Sequence, residues 1–372
     1  MIVMAETRLP ITLLTGFLGA GKSTLLNAVL SDNCAGKIAV VVNEFGEVGL
    51  DHDLIEATDE EVVLMSSGCL CCSIRGDLSD TLAGLMERRE SGSLDFDRIV
   101  IETTGLADPA PIRQTLIVDP YLARNTMLDG VVTLVDAING QATLDAQFEA
   151  VSQAATADLL LISKTDLAHR RDVKALHTRL EALNPSAKIL TTREAKQSPA
   201  LLFGLSGMRR GSETENVLAW MTRETRAPMA DPLANLSGLS QSTSKPTLSP
   251  HDARIETASM QLEAPLDDRV FDHWLDTLVA VKGPDLLRVK GIVFLKDIPT
   301  PFVFHGVQHI FDPPVPLNNW PKDDTTTRIV VIARDMTSKE LERSFDMLRA
   351  TKAPPQPDVF PGWQKTEQKN WP

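Results

Sequence analysis

The chain has 372 residues, 43% hydrophobic and 23% charged, a globular balance long enough for two cores that excludes a collagen-like, disordered or disulfide-packed polypeptide. Lysine and arginine total 37 against 50 acidic residues, and a net charge of −13 repels phosphate backbones, so nucleic acid is not an expected partner. No apolar run reaches the ~18 residues of a membrane span, and the first ten residues lack a signal-peptide core, so the expected location is cytoplasmic with no membrane partner.

Short apolar runs at residues 11–14, 38–42, 62–64, 99–101, 131–135, 158–162 and 188–190 predict strands, several of them apolar at successive positions as strands covered on both faces are. Amphipathic stretches at 22–30, 78–89, 141–157 and 172–183 predict the intervening helices. The alternation predicts an α/β fold, a mostly parallel sheet with helices on both faces and its ligand at the strand carboxyl ends. From 227 to 250 the composition shifts to Pro, Ser, Leu, Asn and Thr without helical period, which predicts a linker. Strands are then expected at 254–263, 288–295, 302–311 and 328–333, with helices at 267–281 and 338–350, making a smaller α+β domain. The expected division is 1–226, linker 227–252, C-terminal domain 253–351 and tail 352–372, with no internal repeat.

Directly after the first strand comes Gly16-Phe17-Leu18-Gly19-Ala20-Gly21-Lys22-Ser23-Thr24, which fits G-x-x-x-x-G-K-[ST] in the strand–loop–helix context the motif needs. Glycines let the backbone approach phosphates, successive N–H groups and the helix N-terminus supply positive potential, and Lys22 neutralises the terminal phosphates. Gly16, Gly19, Ala20, Gly21, Lys22, Ser23 and Thr24 are therefore candidate nucleotide-binding residues, Ser23 also holding Mg²⁺. A second strand ends in Ile101-Glu102-Thr103-Thr104-Gly105. An acid at the tip of a buried strand, followed by a glycine able to approach the γ-phosphate, has Walker-B geometry. Glu102 joins Lys22 as a catalytic candidate and Ser23 as a magnesium ligand. Base choice is argued from Ser163-Lys164-Thr165-Asp166 after an apolar strand: Asp166 would accept from the N1 and N2 donors of guanine, which adenine lacks as a pair, while the Lys164 stem covers the ring. Ser163 replaces the usual bracing Asn of N-K-x-D, which predicts looser base affinity with GTP still preferred over ATP.

Three of the four cysteines fall in Cys69-Leu70-Cys71-Cys72, too close in sequence for an unstrained disulfide. Clustered thiols in a reducing compartment point to metal ligation or redox chemistry. Structural zinc takes four ligands, so three leave a position for Glu47, water or another protein's ligand. Inert buried thiols and a redox switch stay open at this point. Cys34 stands alone and is expected to be structural.

The set Leu14-Thr15-Gly16 through Ser23, Asn43-Glu44-Phe45-Gly46-Glu47, Gly68-Cys69-Leu70-Cys71-Cys72 and Glu102 through Pro109 resembles the CobW-type family of metal-trafficking P-loop GTPases, and His305-Gly306-Val307-Gln308-His309 is similar to that family's second-domain motif. The resemblance covers about residues 10–350. It implies a GTPase metallochaperone using GTP and Mg²⁺, with Zn²⁺ first and Co²⁺ second on Cys69, Cys71, Cys72 and Glu47, and a client metalloprotein as partner. Residues 43–53 sit where a first switch would lie, so a γ-phosphate that orders them would also position Glu47 and the thiols, and Asp51 would join the magnesium shell. Gly105, Lys164 and Asp166 complete the nucleotide set. Residues 227–250 carry no histidine, so a storage role for that stretch is unsupported. His305 and His309, four apart on an expected strand, share a face, with ordinary hydrogen bonding preferred over metal ligation. No general base, water-positioning glutamine or arginine finger is evident, which predicts slow basal turnover. Two rivals stand beside this expectation: a metal-responsive or redox module that uses nucleotide only as a lock, and an ATP-driven assembly factor. The native ion, the client and self-association into a homo-oligomer are left open.

Overall fold

The computed structural model describes residues 8–31, 36–43, 62–65, 73–205, 254–317, 320–321 and 324–350. The expected linker at 227–252 and tail at 352–372 lie outside them. The first sheet comprises β1 (Leu9–Gly16), β2 (Ile38–Asn43), β3 (Val62–Met65), β4 (Arg98–Thr103), β5 (Thr126–Asp136), β6 (Leu159–Ser163) and β7 (Lys188–Thr191). Its seven strands run in the order β3-β2-β4-β1-β5-β6-β7, every pair parallel. The helices between and after them are α1 (Lys22–Leu30), α2 (Ser73–Glu90), α3 (Ala110–Val118), α4 (Pro120–Asn125), α5 (Gly140–Ala146), α6 (Phe148–Thr156), α7 (Arg170–Leu183) and, beyond β7, α8 (Thr192–Gln197).

Strand side chains alternate between the two faces, and both faces are covered. Ile11 and Leu13, Ala39 and Val41, and Ile99 and Ile101 enter one apolar core with Leu82 of α2 and Leu116 of α3. Leu14, Val40, Val42 and Val100 enter the other, against Leu25, Leu26 and Val29 of α1. This explains why the strands are apolar at consecutive positions.

Two helical expectations need correction. The single helix expected at 141–157 is two, α5 and α6, separated at Gln147, whose backbone is extended at φ −128° and ψ 115°. Both halves then pack along one side without a continuous axis. Helices α3, α4 and α8 are not among the expected ones, although Asp119-Pro120 is a capping signal: the Asp119 carboxylate accepts from Tyr121 N at 2.9 Å and Leu122 N at 3.0 Å. Strand β5 also begins earlier than expected, at Thr126, because Asp129 is buried within it and breaks the apolar run; its carboxylate accepts from Gly204 N at 2.8 Å.

The second sheet is antiparallel and built from β8 (Ile255–Leu262), β9 (Leu286–Val293), β10 (Phe302–Val307), β11 (Ile310–Phe311), β12 (Val315–Pro316) and β13 (Thr327–Arg334). Its path is β11-β10-β9-β13-β8, with β12 pairing β10. Helices α9 (Asp268–Lys282) and α10 (Ser338–Asp346) pack Phe271, Trp274, Leu341 and Phe345 against its strands. The strand expected at 302–311 is a hairpin, turned at Gln308 with φ +56°. His305 therefore sits on β10 and His309 in the turn, so the shared strand face expected for them is absent.

The two sheets belong to one packed body. A single apolar cluster runs from Phe17 of the glycine-rich loop through Ala150, Val151, Ala154 and Ala155 of α6 to Ile255, Leu287 and Ile332 of the second sheet. No helix among the described residues is long and apolar enough to cross a membrane.

Candidate functional site

Strand β1 lies at the centre of the parallel sheet with β4 and β5 as its neighbours, so their carboxyl ends meet at one edge. The loop after β1 is the glycine-rich segment. Gly19 and Gly21 have φ of +75° and +93°, left-handed values that a β-carbon disfavours, and Gly21 is the N-cap of α1. No side chain caps the first amides of α1. Uncapped amides at a helix start suit an anion. Lys22 is buried with its Nζ 2.9 Å from the Gly16 carbonyl, which holds the ammonium over the loop.

Next to it, Ser23 Oγ donates to Glu102 Oε1 at 3.1 Å. The two residues are 79 apart in sequence and are joined because β4 pairs directly with β1. A hydroxyl and a carboxylate converging at the start of a phosphate-type loop form the oxygen donor set a hard cation takes. Gly105 follows closely: a β-carbon there would lie 2.4 Å from the backbone nitrogen of Leu18. The turn after β4 thus touches the glycine-rich loop, and only a residue without a side chain fits the contact. Thr24 is exposed and Ala20 buried within the same loop.

On the other side, β5 ends in Asp136 and β6 in Ser163. The Asp136 carboxylate accepts from Ile138 N at 2.7 Å and Lys164 Nζ at 2.6 Å, and from Asn139 Nδ2 at 3.2 Å. Burial opposes its ionisation, but these donors win and hold the carboxyl below its usual range. Asp136 therefore anchors Lys164, whose own backbone is left-handed at φ +55°. Asp166 is exposed at the rim. Ser163 Oγ is buried and has no hydrogen-bond partner among the described residues. The serine supplies no brace; Asp136 grips Lys164 in its place.

The structure thus brings Gly16, Gly19, Ala20, Gly21, Lys22, Ser23, Thr24, Glu102, Gly105, Lys164 and Asp166 to one sheet edge. Glu47, Asp51, Cys69, Cys71 and Cys72, together with Cys34, lie outside the described residues. Among the described residues no group of three or more metal-type side chains gathers. His305 is buried, and its Nε2 faces Arg113 Nη1 at 3.1 Å. A guanidinium only donates, so Nε2 accepts and the imidazole is neutral, consistent with burial and the nearby cations Arg113, Arg288 and Lys290 pushing its pKa well down.

That histidine belongs to a buried charge network between the two sheets, which no local motif announces. Arg113 of α3 pairs with Asp312, and Arg288 of β9 pairs with Asp158 at the start of β6. Lys290 Nζ lies 3.5 Å from Asp158. Burial above all, with Arg288 beside it, pulls the Lys290 pKa down to about 8.

Comparison with known proteins gives this architecture a relationship. The model of the CobW/HypB/UreG nucleotide-binding domain matches residues 10–191, and that of the cobalamin synthesis protein cobW C-terminal domain matches residues 255–349. The zinc chaperone YjiA of Escherichia coli (strain K12) is 33% identical over 343 residues, covering 91% of this chain and 98% of that protein. The chain belongs to the CobW family. The zinc-regulated GTPase metalloprotein activator 1 of Schizosaccharomyces pombe is 31% identical over 356 residues, 88% of this chain and 82% of the relative. The crystal structure of Zn(II)-bound YjiA GTPase from E. coli matches with a TM-score of 0.66 at 28% identity, over 92% of this chain and 99% of that one. As a CobW-family protein the chain has the P-loop NTPase fold with a C-terminal antiparallel-sheet domain, and its kin are GTPases and metallochaperones.

Proposed function

We propose that this protein hydrolyses GTP to GDP and phosphate and, coupled to that cycle, carries a divalent transition-metal ion from Cys69, Cys71, Cys72 and Glu47 to a client metalloprotein in the cytoplasm. The single observation that carries the nucleotide half is the 3.1 Å contact of Ser23 with Glu102 beside the buried Lys22. The names of its relatives, a zinc chaperone and a zinc-regulated activator, put zinc ahead of cobalt as the cargo.

In this reading the amides of residues 16–24 and the start of α1 cradle the phosphates, and Lys22 leaves the Gly16 carbonyl for the terminal phosphate oxygens. Ser23 and Glu102 would hold Mg²⁺, with Asp51 as a further oxygen ligand; when bound, that ion supplies charge neutralisation between the β- and γ-phosphates. Gly105 offers its N–H toward the γ-phosphate, because its backbone already lies against Leu18. Asp166 accepts from guanine and Lys164, tethered by Asp136, covers the base. With no general base among these groups, basal turnover is slow, and loss of the γ-phosphate contact changes the grip on the metal.

The test is purification of the full chain without added metal, zinc titration with and without a non-hydrolysable GTP analogue, and turnover assays on wild type and Lys22→Ala. Lys22→Ala is expected to abolish turnover, and Cys71→Ser to abolish tight zinc binding. Normal turnover in Lys22→Ala refutes the GTPase assignment, and zinc affinity indifferent to nucleotide refutes coupled delivery.

A further inference from the structure

Helix α6 touches the nucleotide site and the C-terminal domain at once, and the residue in its middle has an unusual job. Gln153 is 1% exposed. Its Nε2 donates to the carbonyl of Gly105 at 3.2 Å and to that of Ala107 at 3.0 Å. Carbonyls only accept, so the amide nitrogen must face them, and both N–H donors are consumed. The opposite atom, Oε1, is buried without a hydrogen-bond partner among the described residues. An unsatisfied buried acceptor is costly, so the two bonds to the turn are what this glutamine supplies to the fold in exchange. Its own backbone is fixed to β5, where Thr133 Oγ1 donates to the Gln153 carbonyl at 3.0 Å.

The turn it holds is the one that touches the glycine-rich loop. Gly105 is caught between Leu18 on one side and Gln153 on the other, so the path of the turn that carries its N–H is bounded by both.

The C-terminal domain grips α6 at its two ends. At the first residue, the guanidinium groups of Arg254 and Arg334 lie 5.3 and 5.2 Å from the centroid of the Phe148 ring. Those arginines are themselves braced, Arg254 by Asp335 and Arg334 by Asp285. At the last residue, Arg288 Nη1 donates to the Thr156 carbonyl while its Nη2 pairs with Asp158 two residues on. Asn184 secures the same end, donating to the carbonyls of Ala154, Ala155 and Ala157 at 2.9 to 3.0 Å. A shift of the C-terminal domain therefore moves a rigid helix whose midpoint orients Gly105.

We propose that Gln153 is a positioning residue for recognition of the third phosphate, and that α6 is the element through which the C-terminal domain sets that recognition. This rests on the GTPase assignment and deepens it. Gln153 acts through Gly105; it touches no substrate itself. Its predicted signature is discrimination between GTP and GDP, since only the triphosphate reaches the Gly105 amide.

The experiment uses the full chain and compares wild type, Gln153→Met, Gln153→Glu and Phe148→Ala. Affinities for GDP and for the β,γ-imido analogue of GTP are measured, with single-turnover hydrolysis. Gln153→Met keeps the length and loses the donors: GDP affinity should stay within about twofold, the imido analogue should weaken about tenfold and the hydrolysis rate should fall about 100-fold, the scale of a displaced reacting group. Gln153→Glu puts a carboxylate against two carbonyls at pH 8 and should be as impaired, recovering toward pH 5.5 as the buried carboxyl gains a proton it can donate. Phe148→Ala should lower the ratio of imido-analogue to GDP affinity in the same direction by a smaller factor. Equal losses for GDP and the imido analogue in Gln153→Met, or an unchanged hydrolysis rate, mark a glutamine that only supports the fold and overturn the proposal. Should Gln153→Met fail to fold, the pH profile of Gln153→Glu decides, and a flat profile overturns it. An unaltered affinity ratio in Phe148→Ala removes the C-terminal domain from the scheme. Failure of the GTPase assignment shows separately, as wild type that does not hydrolyse GTP.

Discussion

Arg288 and Asp158 face each other across the junction of the two sheets with 1% of each side chain exposed. Asp158 also accepts from Val131 N at 3.0 Å, so one carboxylate fastens the start of β6 to the middle of β5 and receives the second domain. Burial alone would raise its pKa; the Arg288 and Lys290 cations overcome that and hold it ionised. The nucleotide-binding and C-terminal domains are therefore joined by charge as well as by the apolar cluster around α6.

Removing one member of such a pair leaves the other buried and uncompensated, which costs far more than the intact pair contributes. Asp158→Asn is expected to lower unfolding free energy by roughly 3–5 kcal/mol. The double substitution Asp158→Asn with Arg288→Met should lose less than the sum of the two single losses. Urea unfolding followed by the fluorescence of buried Trp274 measures both, and additive losses would show that the two side chains are uncoupled.

Stability should also fall in mild acid through His305. Burial first, then the cations Arg113, Arg288 and Lys290, keep its folded pKa well below the usual 6.5. The unfolded chain takes up that proton near pH 6.5 while the folded chain does not, so stability declines as pH drops below that point, by up to about 1.4 kcal/mol per pH unit. Asp312, 3.7 Å from Nδ1, acts oppositely at lower pH: its carboxyl is raised by burial, against the pull of Arg113, so the folded state gains a proton there first. His305→Asn should flatten the decline between pH 6.5 and about 5.5. Thermal melts of both proteins across that range check it, and an unchanged slope assigns the decline to other groups.

How much of this was legible in the sequence follows from how local each signal is. The glycine-rich loop lies within nine consecutive residues, Gly16 to Thr24, between an apolar strand and a helix, so its chemistry and its place could be stated together. Glu102 was legible because an acid ending a run such as Arg98-Ile99-Val100-Ile101 must sit at a strand tip. Asp136, Arg113 and Gln153 were not, since each acts on a partner brought near only by strand order. Gln153 sits among alanines and looks like an ordinary polar position on a helix. Arg288 and Lys290 were placed on a strand, but alternate cations there suggest a solvated face; the neighbouring domain buries them. Gln147 and Gln308, where a helix breaks and a strand turns, carry neither glycine nor proline.

In the proposed GTPase reading, base selection turns on Asp166. A carboxylate accepts two hydrogen bonds from guanine N1 and N2, whereas an amide offers a donor that matches the C2 carbonyl of xanthine. Asp166→Asn should cut the preference for GTP over xanthosine triphosphate by about 10-fold or more, at about 1.4 kcal/mol per factor of ten. Lys22→Ala should weaken both equally, because the phosphates are common to them. Competition binding with the two nucleotides checks this, and an unchanged ratio in Asp166→Asn would remove Asp166 from the base site.

Gly105→Ala should be among the most damaging small substitutions in the nucleotide half. The added β-carbon would lie 2.4 Å from Leu18 N and 2.8 Å from Leu18 Cα, both backbone atoms that cannot rotate away. Retreat of the turn is blocked from behind, where Gln153 holds the Gly105 carbonyl at 3.2 Å. Overpacking of this kind costs about 1–3 kcal/mol. The strain falls on the glycine-rich loop itself, so nucleotide affinity and melting temperature should drop together, in contrast to Gln153→Met. Isothermal titration with GDP and a thermal melt of Gly105→Ala test it; wild-type values in both would mean that the turn and the loop stand farther apart than this contact.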